Sequence, residues 1–146
     1  MRIVPDIVHY QTLCILSLDD KTSHAAQVMA ERHIGAVLIT DSDQLVGICT
    51  ERDITYKVVA KGLDPSNVAM RDIMTPHPAT IAPSDAPTRA LDLMRSLGCR
   101  HLPVVDGEQI VGMLSIRDLY AALHAELEDD LRMRDDYISG RSYSVG

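Results

Sequence analysis

Shifting the sequence by 65 residues places Asp41, Gln44, Val46, Gly47, Arg52 and Asp53 on Asp106, Gln109, Val111, Gly112, Arg117 and Asp118 without a gap. In the same register Asp20, Ala25 and Met29 fall on Asp85, Ala90 and Met94. A fixed period of this kind marks one supersecondary unit used twice, each copy too small to bury its apolar face alone. It restricts the chain to two similar halves that close against one another. It also directs the search for function to the space between them.

The pattern inside each copy is the same. Ala25, Val28, Met29 and Ile34 keep helical spacing on one face, with Glu31 and Arg32 on the other, and Gly35 is expected to end that helix. Two apolar runs follow, Ala36 to Thr40 and Leu45 to Thr50, joined by Asp41-Ser42-Asp43-Gln44, which reads as a β-hairpin. A second helix runs from about Glu51 to Lys61, with Gly62 placed to cap it. The second copy repeats the order: helix Ala90–Leu97, strands Leu102–Val105 and Ile110–Ser115, helix from Ile116. Extended lead-in segments, Cys14–Leu18 and Ala79–Pro83, precede the two units, and Val68–Met74 reads as a short helix stopped by Thr75-Pro76.

The expected fold is thus α/β (α+β), two αββα repeats packed sheet to sheet with pseudo-two-fold symmetry. The expected divisions are 1–62 for the first repeat with its N-terminal segment, 63–74 for a linker and short helix, and 75–124 for the second repeat. Residues 125–146 form a helical extension and loose C-terminal tail: Leu119, Leu123, Leu127 and Leu131 make a narrow stripe, charges, Gly140 and serines dominate from Arg132, and the last few residues are expected to be loose.

Bulk properties narrow the function classes. A chain of 146 residues, 46% hydrophobic, fits one domain of two halves. The net charge of −7 argues against a basic footprint for nucleic acid, and with no Trp, no Phe and five Tyr base-stacking platforms are scarce. No apolar run approaches the ~18–20 residues of a membrane helix, and Met1-Arg2-Ile3-Val4-Pro5-Asp6 does not read as a signal peptide. Cys14, Cys49 and Cys99 are odd in number and far apart, which favours reduced thiols and a cytoplasmic setting. The six histidines lack spacing suited to zinc.

The sharpest local signal is a strand running into Gly-x-x-Thr/Ser-x-x-Asp at the start of a helix. It occurs as Gly47-Ile48-Cys49-Thr50-Glu51-Arg52-Asp53 and again as Gly112-Met113-Leu114-Ser115-Ile116-Arg117-Asp118. A hydroxyl followed three residues later by an acid is close to a capping box, so helix capping alone is one reading. The other reading is a nucleoside-phosphate site: helix N–H groups and the guanidiniums of Arg52 and Arg117 for phosphate, Asp53 and Asp118 for a vicinal diol. Asp at both sites, where Glu reaches back better, and Arg before each Asp, which a cap does not need, count against capping alone and leave both readings open.

This arrangement resembles a tandem pair of CBS domains, a Bateman module. The residues carrying it are Ile34 to Asp41 with Leu45 to Ile54, Arg100 to Asp106 with Ile110 to Leu119, and the linker Asp72-Ile73-Met74-Thr75-Pro76, over roughly residues 5–124. The resemblance implies a non-catalytic module that senses an adenosine compound, AMP, ADP or ATP, in two clefts between the repeats and acts on a separate protein. It implies ribose contacts from Thr50 and Asp53 in one cleft and from Ser115 and Asp118 in the other. Cys14 and Ile15, and Thr80 and Ile81, would line the adenine. Phosphate would meet the start of the first hairpin strand, Arg100-His101 in one copy and Gly35-Ala36 in the other. On that reading Arg100 and His101 strengthen the Ser115–Asp118 cleft.

The resemblance also implies a homodimer, expected through apolar faces carrying Val28, Met29 and Ile34, and Leu93, Met94 and Leu97. No catalytic residue, metal or catalytic cofactor is expected. The alternatives are a structural dimerisation module without ligand, or a sensor of S-adenosylmethionine or NAD. An enzyme using a reactive cysteine is a third.

Overall fold

The computed structural model describes residues 1–9 and 13–145, with side chains through residue 138. In the first half β1 (Ile15–Ser17) leads into α1 (Thr22–Arg32), β2 (Ala36–Asp41), β3 (Gln44–Thr50) and α2 (Glu51–Ile54), which continues in wider turns through Thr55–Val59. The short helix α3 (Met70–Ile73) and β4 (Thr75–Pro76) follow. The second half holds α4 (Pro87–Leu97), β5 (His101–Asp106), β6 (Gln109–Ser115) and α5 (Ile116–Val145).

Both expected hairpins are present as β2–β3 and β5–β6, each antiparallel and each with a register shift at the same place, Ile39/Thr40 and Val104/Val105. The lead-in segments also match. Leu16 pairs parallel to Ile39, and Ile81 bridges parallel to Val104, so the 65-residue register holds for these contacts too. Strand alternation sorts the side chains. Val37 and Ile39 point into the first core with Ala25, Met29 and Cys49, whereas Ala36 and Leu38 point the other way. There they meet Ile48 and the second half's Ile110 and Met113 in a small cluster between the two sheets.

The sequence reading needs correction at the junctions. The N-terminal segment packs on the second half. Ile3 and Val8 are fully buried in the second core, against Ile81, Met94, Leu102, Leu114 and Leu119. Ile3 N–H donates to the Asp85 carbonyl at 3.0 Å and Val4 N–H to the Pro83 carbonyl at 2.9 Å. The linker crosses the opposite way: Met70 and Ile73 fill the first core, and β4 pairs with β3 to complete a four-stranded sheet of order β1-β2-β3-β4. Gly47 is where that linker lies down, because a Cβ there would collide with Sδ and Cγ of Met74. Boundaries at 62 and 75 therefore cut through both cores.

Three smaller expectations also change. His33, in the left-handed region at φ 54°, ends α1, and Gly35 does not; Gly98 at φ 65° occupies the matched position after α4. Met29 and Met94 face their own cores, so the flat apolar faces expected to carry a dimer are smaller than the sequence implies. The last helix runs on to Val145, through the last few residues that the sequence reads as a loose tail, and Gly146 and the side chains beyond 138 lie outside the described residues. No helix among the described residues is long and apolar enough to cross a membrane.

Candidate functional site

Two clefts open between the halves, and the repeat register relates them. One, about 560 Å³, brings Ser115, Arg117 and Asp118 from the β6–α5 corner against Arg32, His33 and Gly35 from the α1–β2 turn, with Cys14 on its wall. The other, about 780 Å³, brings Thr50, Arg52 and Asp53 from the β3–α2 corner against Leu97, Gly98 and Arg100 from the α4–β5 turn, with Ala79 on its wall. Both volumes lie in the range of roughly 300–1,000 Å³ typical of small-molecule sites.

Each cleft therefore joins the corner of one repeat to the turn of the other. This reverses one expectation: Arg100 lies in the Thr50–Asp53 cleft, and Gly35 faces Ser115 and Asp118. His101 borders both clefts. Of the residues expected along adenine, Cys14 lines a cleft, whereas Ile15 is exposed on β1, Ile81 is buried in the second core and Thr80 is exposed beside it; none of these three lines either cleft. Arg32 and His33 were not singled out by the motif, nor were Leu97 and His77. Their signal is the register alone, since Arg32 matches Leu97 and Cys14 matches Ala79.

Both corners form the reciprocal cap that the sequence predicts. Asp53 N–H donates to Thr50 Oγ1 at 3.2 Å, and Thr50 N–H donates back to Asp53 Oδ2 at 3.0 Å. Asp118 N–H donates to Ser115 Oγ at 3.1 Å, with a longer return from Ser115 N–H to Asp118 Oδ2 at 3.4 Å. Beyond the cap the two acids differ. Asp53 is only 8% exposed, and its Oδ1 sits 2.9 Å from Lys57 Nζ, which also donates to the Ile73 carbonyl at 2.9 Å. The Thr75 hydroxyl lies 3.4 Å from the same oxygen. Asp118 is exposed and, among the described residues, its hydrogen bonds are the capping pair with Ser115.

At the junction of the clefts the His101 ring and the Glu51 carboxylate converge on Gly35. A Cβ on Gly35 would stand 3.3 Å from both Glu51 Oε1 and His101 Cε1. The backbone mirrors this closeness on both sides, Glu51 N–H donating to the Gly35 carbonyl at 2.9 Å and Ile116 N–H to the Arg100 carbonyl at 2.8 Å.

Burial holds the His101 pKa below the ordinary histidine value; Glu51 and Asp118 oppose that shift and Arg100 adds to it. A lowered folded-state pKa means that the unfolded chain takes up the proton first as pH falls. The stabilisation is present above the unfolded value, about 6.5, and is lost as pH drops from there toward the folded-state value. Thermal unfolding should therefore show a steeper loss of stability between pH 7 and 5.5 in the native chain than in His101→Gln. Equal slopes would remove His101 from the account.

Burial also raises all three thiols. Cys49 is pushed up to about 12, with the Asp53 charge adding to the rise and Lys57 opposing it. Cys14 and Cys99 rise by burial as well, against the Arg32 charge in the first case and backbone hydrogen bonds in the second. Protonated, partly or wholly buried thiols are poor nucleophiles, which counts against cysteine chemistry. Among the described residues no three His, Cys, Asp or Glu side chains gather into a metal-binding set.

Known proteins share this fold. The family model of the CBS domain matches the chain twice, over residues 6–60 and 70–125. The mitochondrial CBS domain-containing protein CBSX3 of Arabidopsis thaliana is 32% identical over 127 residues, covering 84% of this chain and 62% of that protein. The chain thus spans less than two thirds of that relative's length. A solved structure of a protein with CBS domains from Burkholderia ambifaria MC40-6 matches with a TM-score of 0.82 at 32% identity, over 86% of this chain and 95% of the other. The CBS domain protein PAE2072 of Pyrobaculum aerophilum, solved in complex with AMP, matches with a TM-score of 0.73 at 27% identity, over 81% of this chain and 89% of the other.

Proposed function

On the premise that this chain belongs to the CBS-domain family, as a tandem pair of CBS domains and hence a regulatory kind of module, we propose that it senses an adenine nucleotide, AMP, ADP or ATP, without catalysing a reaction. The observation that carries this reading is the Ser115–Asp118 corner. An exposed carboxylate and a guanidinium stand together in a cleft whose opposite wall is the other repeat. Asp118 is suited to accept from two ribose hydroxyls, and Arg117 to hold a phosphate oxygen. The AMP complex of the Pyrobaculum relative supports the ligand class.

A ligand bound there touches both halves at once. It favours whichever relative packing of the halves fits it better, by no more than its difference in affinity between the two packings. Acting on a separate protein is then a matter of which packing that protein reads. We also read the chain as a homodimer, with Tyr56, Val59 and Leu97 among the exposed apolar side chains available to a second copy. The three free thiols support the cytoplasm, and the mitochondrial relative makes the mitochondrion the alternative. A purely structural module is the competing reading, favoured by Asp53, whose carboxylate is fully engaged within the chain.

Thermal unfolding with AMP, ADP, ATP, S-adenosylmethionine and NAD tests the proposal. An adenine nucleotide at a hundredfold excess over its dissociation constant should add about 2.7 kcal/mol of stability by mass action. A melting temperature unmoved by all five compounds would hand the chain to the structural reading. A response to S-adenosylmethionine or NAD alone would keep the sensor and change its ligand.

A further inference from the structure

The repeat relates the two clefts, but their chemistry has diverged. Resting on the nucleotide reading above, we infer that the Ser115–Asp118 cleft takes a ribonucleotide carrying more than one phosphate, with Arg32 as the added phosphate contact, and that the Thr50–Asp53 cleft does not take ribose.

The second half of this inference follows from Asp53. A diol needs carboxylate lone pairs that face the cleft. Those of Asp53 are engaged by the Thr50 N–H at 3.0 Å, the Thr50 hydroxyl at 3.2 Å, Lys57 Nζ at 2.9 Å and the Thr75 hydroxyl at 3.4 Å. Lys57 is itself held by the Ile73 carbonyl at 2.9 Å, so the lock is built from the linker as well as from the corner. Turning the acid toward a diol would strip a buried carboxylate of its ammonium and hydroxyl partners at once. At Asp118 the lock is missing. The position matching Lys57 is Ala122, which has no charge to offer.

The first half follows from charge and shape. The Ser115–Asp118 cleft is lined by two guanidiniums, Arg32 and Arg117, against one carboxylate. The other cleft is lined by Arg52 and Arg100 against two carboxylates, Glu51 and Asp53. The position matching Glu51 is Ile116, so this cleft has one acid fewer; Arg32 stands where the other copy has Leu97 and Gly35 where it has Arg100, which moves the second guanidinium onto the end of α1 without changing the number of arginines. Arg32 stands at the end of α1, close enough to Cys14 on the cleft wall for its charge to act on that thiol. Among the described residues neither Arg32 nor Arg117 is paired with an acid. Two unpaired guanidinium forks on opposite walls suit an anion with several oxygens in sequence, as in a di- or triphosphate.

Calorimetric titration of the full chain with ATP and with AMP tests this. The expected result is one ATP per chain. Arg32→Leu, which installs the side chain of the matched position, should weaken ATP at least tenfold and AMP less than threefold. Lys57→Ala, which leaves the cap itself in place, should not change the affinity of the first ATP bound. Asp53→Asn should likewise leave ATP affinity unchanged, with its folding checked by circular dichroism. Two equivalent ATP sites per chain would overturn the division of roles and leave the sensor reading standing. So would equal losses for ATP and AMP in Arg32→Leu. No heat with any nucleotide would overturn both.

Discussion

Asp118→Asn is expected to lower adenine-nucleotide affinity by roughly ten- to a hundredfold, about 1.5–3 kcal/mol, while the fold stays almost as stable as before. Asparagine keeps the size of the side chain and can still accept from the Ser115 N–H, which is a long contact at 3.4 Å. What it loses is the charge that strengthens two hydrogen bonds to a diol. The capping and dipole penalty should be only a few tenths of a kcal/mol, because Asp118 is exposed and its charge is screened. Asp53→Asn should behave in the opposite way. Its carboxylate, itself buried, joins the cap, Lys57 and Thr75 in one network, so the substitution should cost about 1–2 kcal/mol of stability. Chemical denaturation alongside calorimetry separates the two effects. If Asp118→Asn binds nucleotide as well as the native chain, the ribose assignment is wrong.

Ile3→Ala should be the most destabilising single truncation at the N-terminal end. Ile3 has no exposed surface and lies in the second core among Ile81, Leu102, Leu114 and Leu119. Removing most of a buried isoleucine leaves a cavity as well as losing its transfer free energy, together about 2–5 kcal/mol. If residues 1–9 instead served the first repeat loosely, as the sequence order implies, the cost would be a few tenths. A denaturant midpoint shifted by less than that expected for about 1 kcal/mol would contradict the packing described for this segment.

Much of the architecture is legible in the sequence because it is local or periodic. The hairpins follow from alternating apolar runs bounded by Asp-rich turns, and the caps follow from a hydroxyl and an acid three residues apart. The parallel lead-in strands keep the same 65-residue register as the rest. The crossing segments are a different case. Asp6-Ile7 matches Asp72-Ile73 one residue out of that register, and nothing local says that each packs on the other half's core.

Cleft pairing is illegible for a related reason. Periodicity states that two halves are alike, and does not state which way they face, so Arg100 could be assigned to either acid. The lock on Asp53 is hidden because it is assembled from three places. Lys57 lies one turn along, while Thr75 and the Ile73 carbonyl arrive with the linker. Capping and ligand contact are not exclusive roles for this motif. In the structure one copy has its acid engaged and the other has it open.

The exchange of segments has a consequence for the order in which the chain can assemble during synthesis. The first core is incomplete until Met70 and Ile73 have been made, so residues 13–60 must wait for the linker before they can close. The N-terminal segment waits longer. Its seat is formed by Ile81, Met94, Leu102, Leu114 and Leu119, so it has no place to bind until nearly the whole repeat region has emerged. Domains generally fold as units as they leave the ribosome, N-terminal ones first. Here the earliest residues of the region are among the last to be seated, and both halves finish together.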